Sequence, residues 1–161
     1  MIEQKVNTSD TPLTSRAKSF IAEGRSRFKS VHVFGFVPSD YELAWRVLDG
    51  LPRGTLCEWG SGFGILTGLA EMLGFTALGI ELSPDLAAAS RLLLSDFDLS
   101  ASIKTGDYLE INQPADYYFV YCWPSQTIPT EARFESIAPL GAKLLICHGQ
   151  SDIRCKVRGN P

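Results

Sequence analysis

The sequence has no run of about 18 consecutive apolar residues, so it contains no segment that would cross a bilayer as a helix. Its opening, MIEQKVNTSDTP, is polar and lacks the apolar centre of a secretion signal, so the expected compartment is the cytoplasm. The four cysteines (Cys57, Cys122, Cys147, Cys155) form no C-x-x-C pair, and three stand inside apolar, strand-like runs. That spacing predicts buried reduced thiols and no metal site. Neither of the two histidines, His32 and His148, is assigned a role. No Gly-Lys-Ser/Thr follows a glycine-rich stretch, which removes the P-loop. Positive charge is not in excess either. Fifteen Lys and Arg against 18 Asp and Glu leave a net charge of −3, which argues against a surface built for nucleic acid. There is no internal repeat and no low-complexity tract.

What is present is a chain of 161 residues, 45% hydrophobic and 11% aromatic, enough for one sizeable core and a single domain. Residues 1–12 have no periodicity and read as a flexible tail, leaving 13–161 as the domain, with 13–50 as an N-terminal helical extension. Over 13–28, Leu13, Ala17, Phe20, Ile21 and Phe28 keep a helical spacing, weakened by Gly24. The same stretch gathers Arg16, Lys18, Arg25, Arg27 and Lys29 around a single acid, Glu23. That pattern reads as a solvated amphipathic helix, or as a surface for an acidic partner. In FVPSDYELAWRVLDGL, Ser39 is the expected cap, Glu42 its capping-box partner, Leu43, Ala44, Val47 and Leu48 the apolar stripe, and Gly50 the stop.

From there strands and helices alternate. TLCEW is a strand, 65–73 a helix closed by Gly74, and TALGIEL a strand. Ser83-Pro84-Asp85 opens a second helix through LAAASRLLLSDF. SIKTGDY and DYYFVYCW follow as strands, TEARFESIAPL as a helix and AKLLICHG as a fifth strand. Short apolar runs alternating with helices specify an α/β, doubly wound, mostly parallel sheet. DIRCKVRG then puts Ile153, Cys155 and Val157 on one face and Arg154, Lys156 and Arg158 on the other, as expected of an antiparallel edge strand.

In such a sheet, ligands bind beyond the carboxyl ends of the strands. CEWGSGFG lies at such an end, with Gly60, Gly62 and Gly64 permitting backbone shapes and close approaches that a side chain forbids, and with helix N–H groups following. The dinucleotide pattern G-x-G-x-x-G/A fails at Ile65. Glu58 just ahead of the turn repels a pyrophosphate and suits an ammonium, which points to a ligand with an amino-acid moiety.

LCEWGSGFG, LGIELSP, TGDY and the strand end YCWP together resemble the class I S-adenosylmethionine-dependent methyltransferases, over residues 37–148. The resemblance implies the Rossmann-like methyltransferase fold, here with a shortened C-terminal edge, and S-adenosyl-L-methionine as cofactor. It also implies that Glu58, Gly60, Ser61 and Gly62 hold the methionine portion. Glu81, 21 residues past Gly60, would accept from the ribose hydroxyls, with Leu82 beside the adenine. Asp107 would accept from the adenine amino group, and Tyr108 would cover the ring. Methyl transfer needs alignment and desolvation more than an acid or base, so no catalytic residue is assigned. Trp123, with Tyr121 nearest the cleft, is expected to shape the acceptor pocket.

Cys-Trp-Pro-Ser departs from the Asp/Asn-Pro-Pro-aromatic motif of relatives that methylate bases or glutamine amides. GFVPSD and GAKLLICHG instead resemble small lysine-directed members. A protein side-chain amine is thus the expected acceptor, with a small molecule, or a cofactor-binding module without turnover, as the alternatives. Only residues 149–161 follow the fifth strand, so either the predicted edge strand covers it or a partner subunit does, which leaves self-association through the sheet edge open.

Overall fold

The computed structural model describes residues 1–29, 39–149 and 151–159. Seven strands form one sheet: β1 (Ile2–Gln4), β2 (Thr55–Trp59), β3 (Thr76–Glu81), β4 (Ser102–Thr105), β5 (Tyr117–Tyr121), β6 (Lys143–Cys147) and β7 (Ile153–Val157). The helices are α1 (Ser15–Phe28), α2 (Tyr41–Asp49), α3 (Ile65–Met72), α4 (Pro84–Asp96) and α5 (Thr127–Ile137), the last entered through a single 3-10 turn, Pro124–Gln126.

The spatial order is β1-β7-β6-β5-β2-β3-β4. Strands β2 to β6 run parallel, and β7 is antiparallel to both β6 and β1. The chain winds outward from β2 through β3 to β4, then returns to lay β5 on the other side of β2. The order therefore reverses between β2 and β5, and their carboxyl ends open the crevice where such sheets bind ligands.

Both faces are buried, which is why the central strands read as continuous apolar runs. Leu56, Phe119 and Leu145 point to a core shared with Phe20, Ala44, Leu48, Leu66, Leu69 and Leu93, so α1 to α4 cover that face. Cys57, Trp59, Tyr118, Val120 and Ile146 point the other way, to Phe134 of α5. Phe134 is fully buried edge-on to Tyr118, ring centroids 5.4 Å apart. Truncating it to Ala removes about 3–5 kcal/mol. Gly24, which weakens α1 by propensity, has a packing reason: a Cβ there would lie 2.6 Å from Ile65 Cδ1. The missing side chain lets α1 press on the first residue of α3.

Helices α1, α2 and α4 start at side-chain caps. Thr14 accepts from the Ala17 amide and Ser83 from the Leu86 amide, with Pro84 opening α4 as expected. The cap of α2 is Asp40, whose carboxylate accepts from Leu43 N at 3.0 Å; the expected Ser39 lies one residue too early, and Glu42 is no capping-box partner. Both are cap-forming residues, and the shift turns Tyr41 and Trp45 into the core. Helix α5 starts at Thr127, before the expected TEAR, because Pro129 sits in its first turn, where the missing N–H costs nothing.

Two expectations at the sheet edge are corrected. Residues 1–12 are not a featureless tail, because Ile2–Gln4 pairs with β7, and Ser9 exchanges backbone and side-chain bonds with Arg46. Consequently β7 is not the edge. Its cationic face is partly engaged, with Lys156 bonded to Glu131 and Arg154 to Asp152. All four cysteines are free and buried, as expected. Val37, Pro38 and His32 lie outside the described residues.

Candidate functional site

The chain leaves β2 into three left-handed glycines, with φ of 71° at Gly60, 54° at Gly62 and 71° at Gly64. This conformation strains any residue with a Cβ. The turn is fastened to the next strand. Ile80 O accepts from Gly60 N (2.8 Å) and Ser61 N (3.0 Å), and Glu81 Oε2 accepts from Gly62 N at 2.7 Å. Glu81 Oε1 accepts from Ser83 N at 2.9 Å, so one buried carboxylate, 8% exposed, ties the glycine turn to the start of α4. Glu81 O in turn accepts from Gly106 N at 2.9 Å, just before Asp107. Hydrogen bonds thus link the tips of β2, β3 and β4 into one ledge.

Glu58 faces inward from the strand that enters the turn. It is 9% exposed, and both its bonds, from Thr67 N (2.9 Å) and Thr67 Oγ1 (2.5 Å), fall on Oε2. The carboxylate therefore sits at the N-terminus of α3, where the helix dipole favours it. Burial nevertheless pushes its pKa up to about 8; the Thr67 bonds oppose the shift and the charge of Glu81 adds to it. Glu58 lines a cavity of about 20 Å³ with Ser39, Tyr41, Gly60, Ser61, Phe119 and Tyr121, room for one water or an ammonium group. Burial, with the Glu58 charge next, keeps the Tyr41 hydroxyl well above its ordinary pKa and so a neutral phenol.

Two features of the ledge fit a ligand. Ser61 Oγ is buried and has no hydrogen-bond partner among the described residues. Among the described residues nothing lies within 4 Å of where a Gly60 Cβ would stand, which leaves the space above the turn open to them. The helix N–H groups are less available than the sequence suggests. Gly60, Ser61, Gly62, Gly64 and Thr67 all donate to acceptors of the protein itself.

The other sequence-derived residues fall into two groups. Leu82 is beside Glu81 and 68% exposed, an apolar rim next to the ledge. Asp107 forms a local turn, with Oδ1 accepting from Leu109 N at 2.8 Å. Tyr121 and Trp123 meet edge-on at 5.6 Å beyond β5, and Trp123 stays 44% exposed. Tyr108 is engaged elsewhere: its ring stacks on Trp59 at 4.9 Å, and its hydroxyl bonds Thr130 Oγ1 at 3.0 Å. It packs on the α5 side. The sequence reading missed Thr67, which holds Glu58, and Tyr41, which looks from sequence like any apolar residue opening α2. Its place two residues past Ser39 in the singled-out FVPSDY stretch of the sequence was the available signal.

Among the described residues no group of three or more His, Cys, Asp and Glu is placed to hold a metal ion, and no helix is long and apolar enough to cross a membrane.

No family model matches the chain, and no curated protein matches it by sequence. Solved structures do match in shape. An RNA methyltransferase from Salinibacter ruber in complex with S-adenosyl-L-homocysteine is 14% identical, with a TM-score of 0.61 over 94% of this chain and 95% of that one. A putative RNA methyltransferase from Pyrococcus horikoshii is 17% identical, with a TM-score of 0.60 over 84% of this chain and 74% of that one. The glycopeptide N-methyltransferase MtfA, complexed with sinefungin, is 19% identical, with a TM-score of 0.57 over 72% of this chain and 58% of that one. Against three further structures, the chain spans 49%, 36% and 58% of the other protein's length. The seven-stranded, mostly parallel sheet with helices on both faces is the Rossmann-like methyltransferase fold.

Proposed function

We propose that this chain is an S-adenosylmethionine-dependent methyltransferase whose acceptor is a protein side-chain amine. The observation that supports the reading is the linked ledge of three strand tips, in which hydrogen bonds join the turn after Glu58 to Glu81 and the Glu81 carbonyl to Gly106, next to Asp107, beside the β2–β5 point where the strand order reverses. The orphaned Ser61 hydroxyl and the open space over Gly60 support a fit to that cofactor.

When bound, the cofactor supplies an electrophilic methyl group on a sulfonium. In this reading, Glu58 offers Oε1 to the ammonium, while Thr67 keeps Oε2 and fixes the orientation. Each Glu81 oxygen holds one amide and has a second lone pair for a ribose hydroxyl. Asp107 receives the adenine amino group, with Leu82 against the ring. Tyr121 and Trp123 form the aromatic wall on the acceptor side, excluding water and favouring a neutral amine. The lysine acceptor rests on the resemblance of GFVPSD and GAKLLICHG to lysine-directed members, with Cys-Trp-Pro-Ser departing from the motif of those that methylate bases or glutamine amides.

A second reading, a cofactor-binding subunit without turnover, is favoured by one observation: the segment after β5 carries Cys-Trp-Pro-Ser in place of the usual acceptor motif, and its Trp123 stands 44% exposed.

The test has two stages. Calorimetric titration with S-adenosylmethionine, S-adenosylhomocysteine and nicotinamide dinucleotides is expected to give binding to the first two alone. Labelled-methyl transfer into a cell lysate, with Glu58→Ala as control, is then expected to mark protein lysines. Binding without any labelled acceptor favours the second reading, and nicotinamide binding without sulfonium binding overturns both.

A further inference from the structure

A second cavity lies away from the crevice, toward the amino end of β6. The N-terminal segment leaves β1 at the sheet edge and crosses to α2, where Ser9 N donates to Arg46 O at 2.9 Å and Arg46 Nε donates to Ser9 O at 2.8 Å. Residues 4–7 of this strap border a cavity of about 190 Å³, room for about six water-sized groups. Leu145 of β6 and Cys155 of β7 line it from the sheet, and Val47 and Leu51 from α2 and its exit. Two cations complete the lining: Lys5 of the strap and Lys143, the first residue of β6.

These lysines have no counter-charge. Among the described residues no acid lines the cavity, and neither ammonium makes an ion pair or a hydrogen bond. Lys143 is partly buried and shares a sheet face with Leu145, two residues on, whose side chain belongs to the core. Its charge reaches the Cys155 thiol, whose pKa is raised by burial and lowered by Lys143. The neighbouring acceptors are taken. Arg53 Nη1 donates to the carbonyls of Leu48, Asp49 and Leu51 at 3.4, 3.3 and 2.8 Å, and Arg53 Nη2 to Asp49 Oδ1 at 2.7 Å. Asp116, whose carbonyl accepts from the Lys143 amide, gives Oδ2 to Thr55 N and Thr55 Oγ1 at 2.8 and 2.7 Å. An ammonium drawn toward an apolar floor without a partner is costly, and an anion seated beside it removes that cost.

We infer that this cavity binds a small aliphatic carboxylate, with its apolar body on Val47, Leu145 and Cys155 and its carboxylate between Lys5 and Lys143. A bare inorganic anion would answer the charge and leave the apolar floor uncovered. The site stands independently of the cofactor reading, since none of its residues belongs to the crevice. Occupancy fastens the N-terminal strap to β6.

Butyrate matches the cavity in size and is the probe. Butyramide keeps its shape without the charge, and inorganic phosphate keeps a charge without the apolar body. Titration of the whole chain followed by methyl NMR is expected to show butyrate moving the Val47 and Leu145 signals at millimolar concentration, with butyramide and phosphate at least about 10-fold weaker. Lys143→Gln is expected to weaken butyrate about 10-fold and Lys5→Gln about 3-fold, with butyramide unchanged, because a charge-assisted bond is lost for the carboxylate alone. Both side chains reach solvent, so both variants are expected to fold. Butyramide or phosphate binding as tightly as butyrate overturns the inference. So does butyrate that leaves the two methyl signals unmoved, or that binds both variants as it binds wild type.

Discussion

The two sides of the crevice are built differently. On the side of β2 and β3, the glycine turn, Glu58 and Glu81 are buried and joined by backbone and carboxylate bonds of 2.5–3.0 Å. On the side of β5, Tyr121 and Trp123 meet only edge-on, and Trp123 and Ile128 stand open to solvent. The first side is preorganised, as the binding of an invariant ligand requires, since little ordering remains to be done when the ligand arrives. The second is an apolar rim with few fixed bonds, suited to a variable partner. Stability and ligand affinity should therefore respond together on the first side and separately on the second.

The comparison can be broken by mutation. The largest effect is expected for Glu81→Ala, which leaves the Gly62 and Ser83 amides without their acceptor; each orphaned amide costs about 1–3 kcal/mol. Denaturant unfolding should show that loss, and titration should show no binding of S-adenosylhomocysteine. Gly64→Ala comes next. It forces a Cβ into the left-handed region, 3.0 Å from Ser90 Cβ, at a cost of about 1–3 kcal/mol in the same unfolding measurement.

Glu58 sharpens the contrast through pH. Its pKa in the folded chain, about 8, is raised from an ordinary value of 4.5. Between those values the folded state holds a proton that the unfolded state has released, so this group's contribution is full below pH 4.5 and is lost as pH rises toward 8. Glu58→Gln should flatten that decline, so the melting temperature of the variant relative to wild type should climb from pH 5 to pH 8. An ammonium ligand favours the ionised form, so binding to wild type should release a proton near pH 7, seen as a buffer-dependent calorimetric heat. The smallest stability effect is expected for Trp123→Ala. Unfolding should change by no more than about 0.5 kcal/mol and S-adenosylhomocysteine affinity should hold, while KM for the acceptor rises.

Much of this was legible in the sequence because it is local. Apolar runs marked β2, β3, β5 and β6, Ser83-Pro84 marked the start of α4, and three glycines behind an acid marked the turn. What was not legible depends on partners distant along the chain. Ile2–Gln4 is too short for any pattern and becomes a strand only because β7 supplies an open edge. The contacts of Tyr108 with Trp59 and Thr130 likewise join residues far apart along the chain. Ser39 and Asp40 are equivalent as caps, and the register of the core decided between them. Arg25 was visible only as one basic residue among five, until packing set it on Tyr41.

The central claim, that the tips of β2, β3 and β4 grip one molecule, is tested most directly by a crystal structure of the chain grown with S-adenosylhomocysteine. Glu58 is predicted at its ammonium, Glu81 at its ribose and Asp107 at its adenine, all on a single bound ligand. A crevice left empty at saturating ligand, or a ligand bound away from these three carboxylates, would contradict the account.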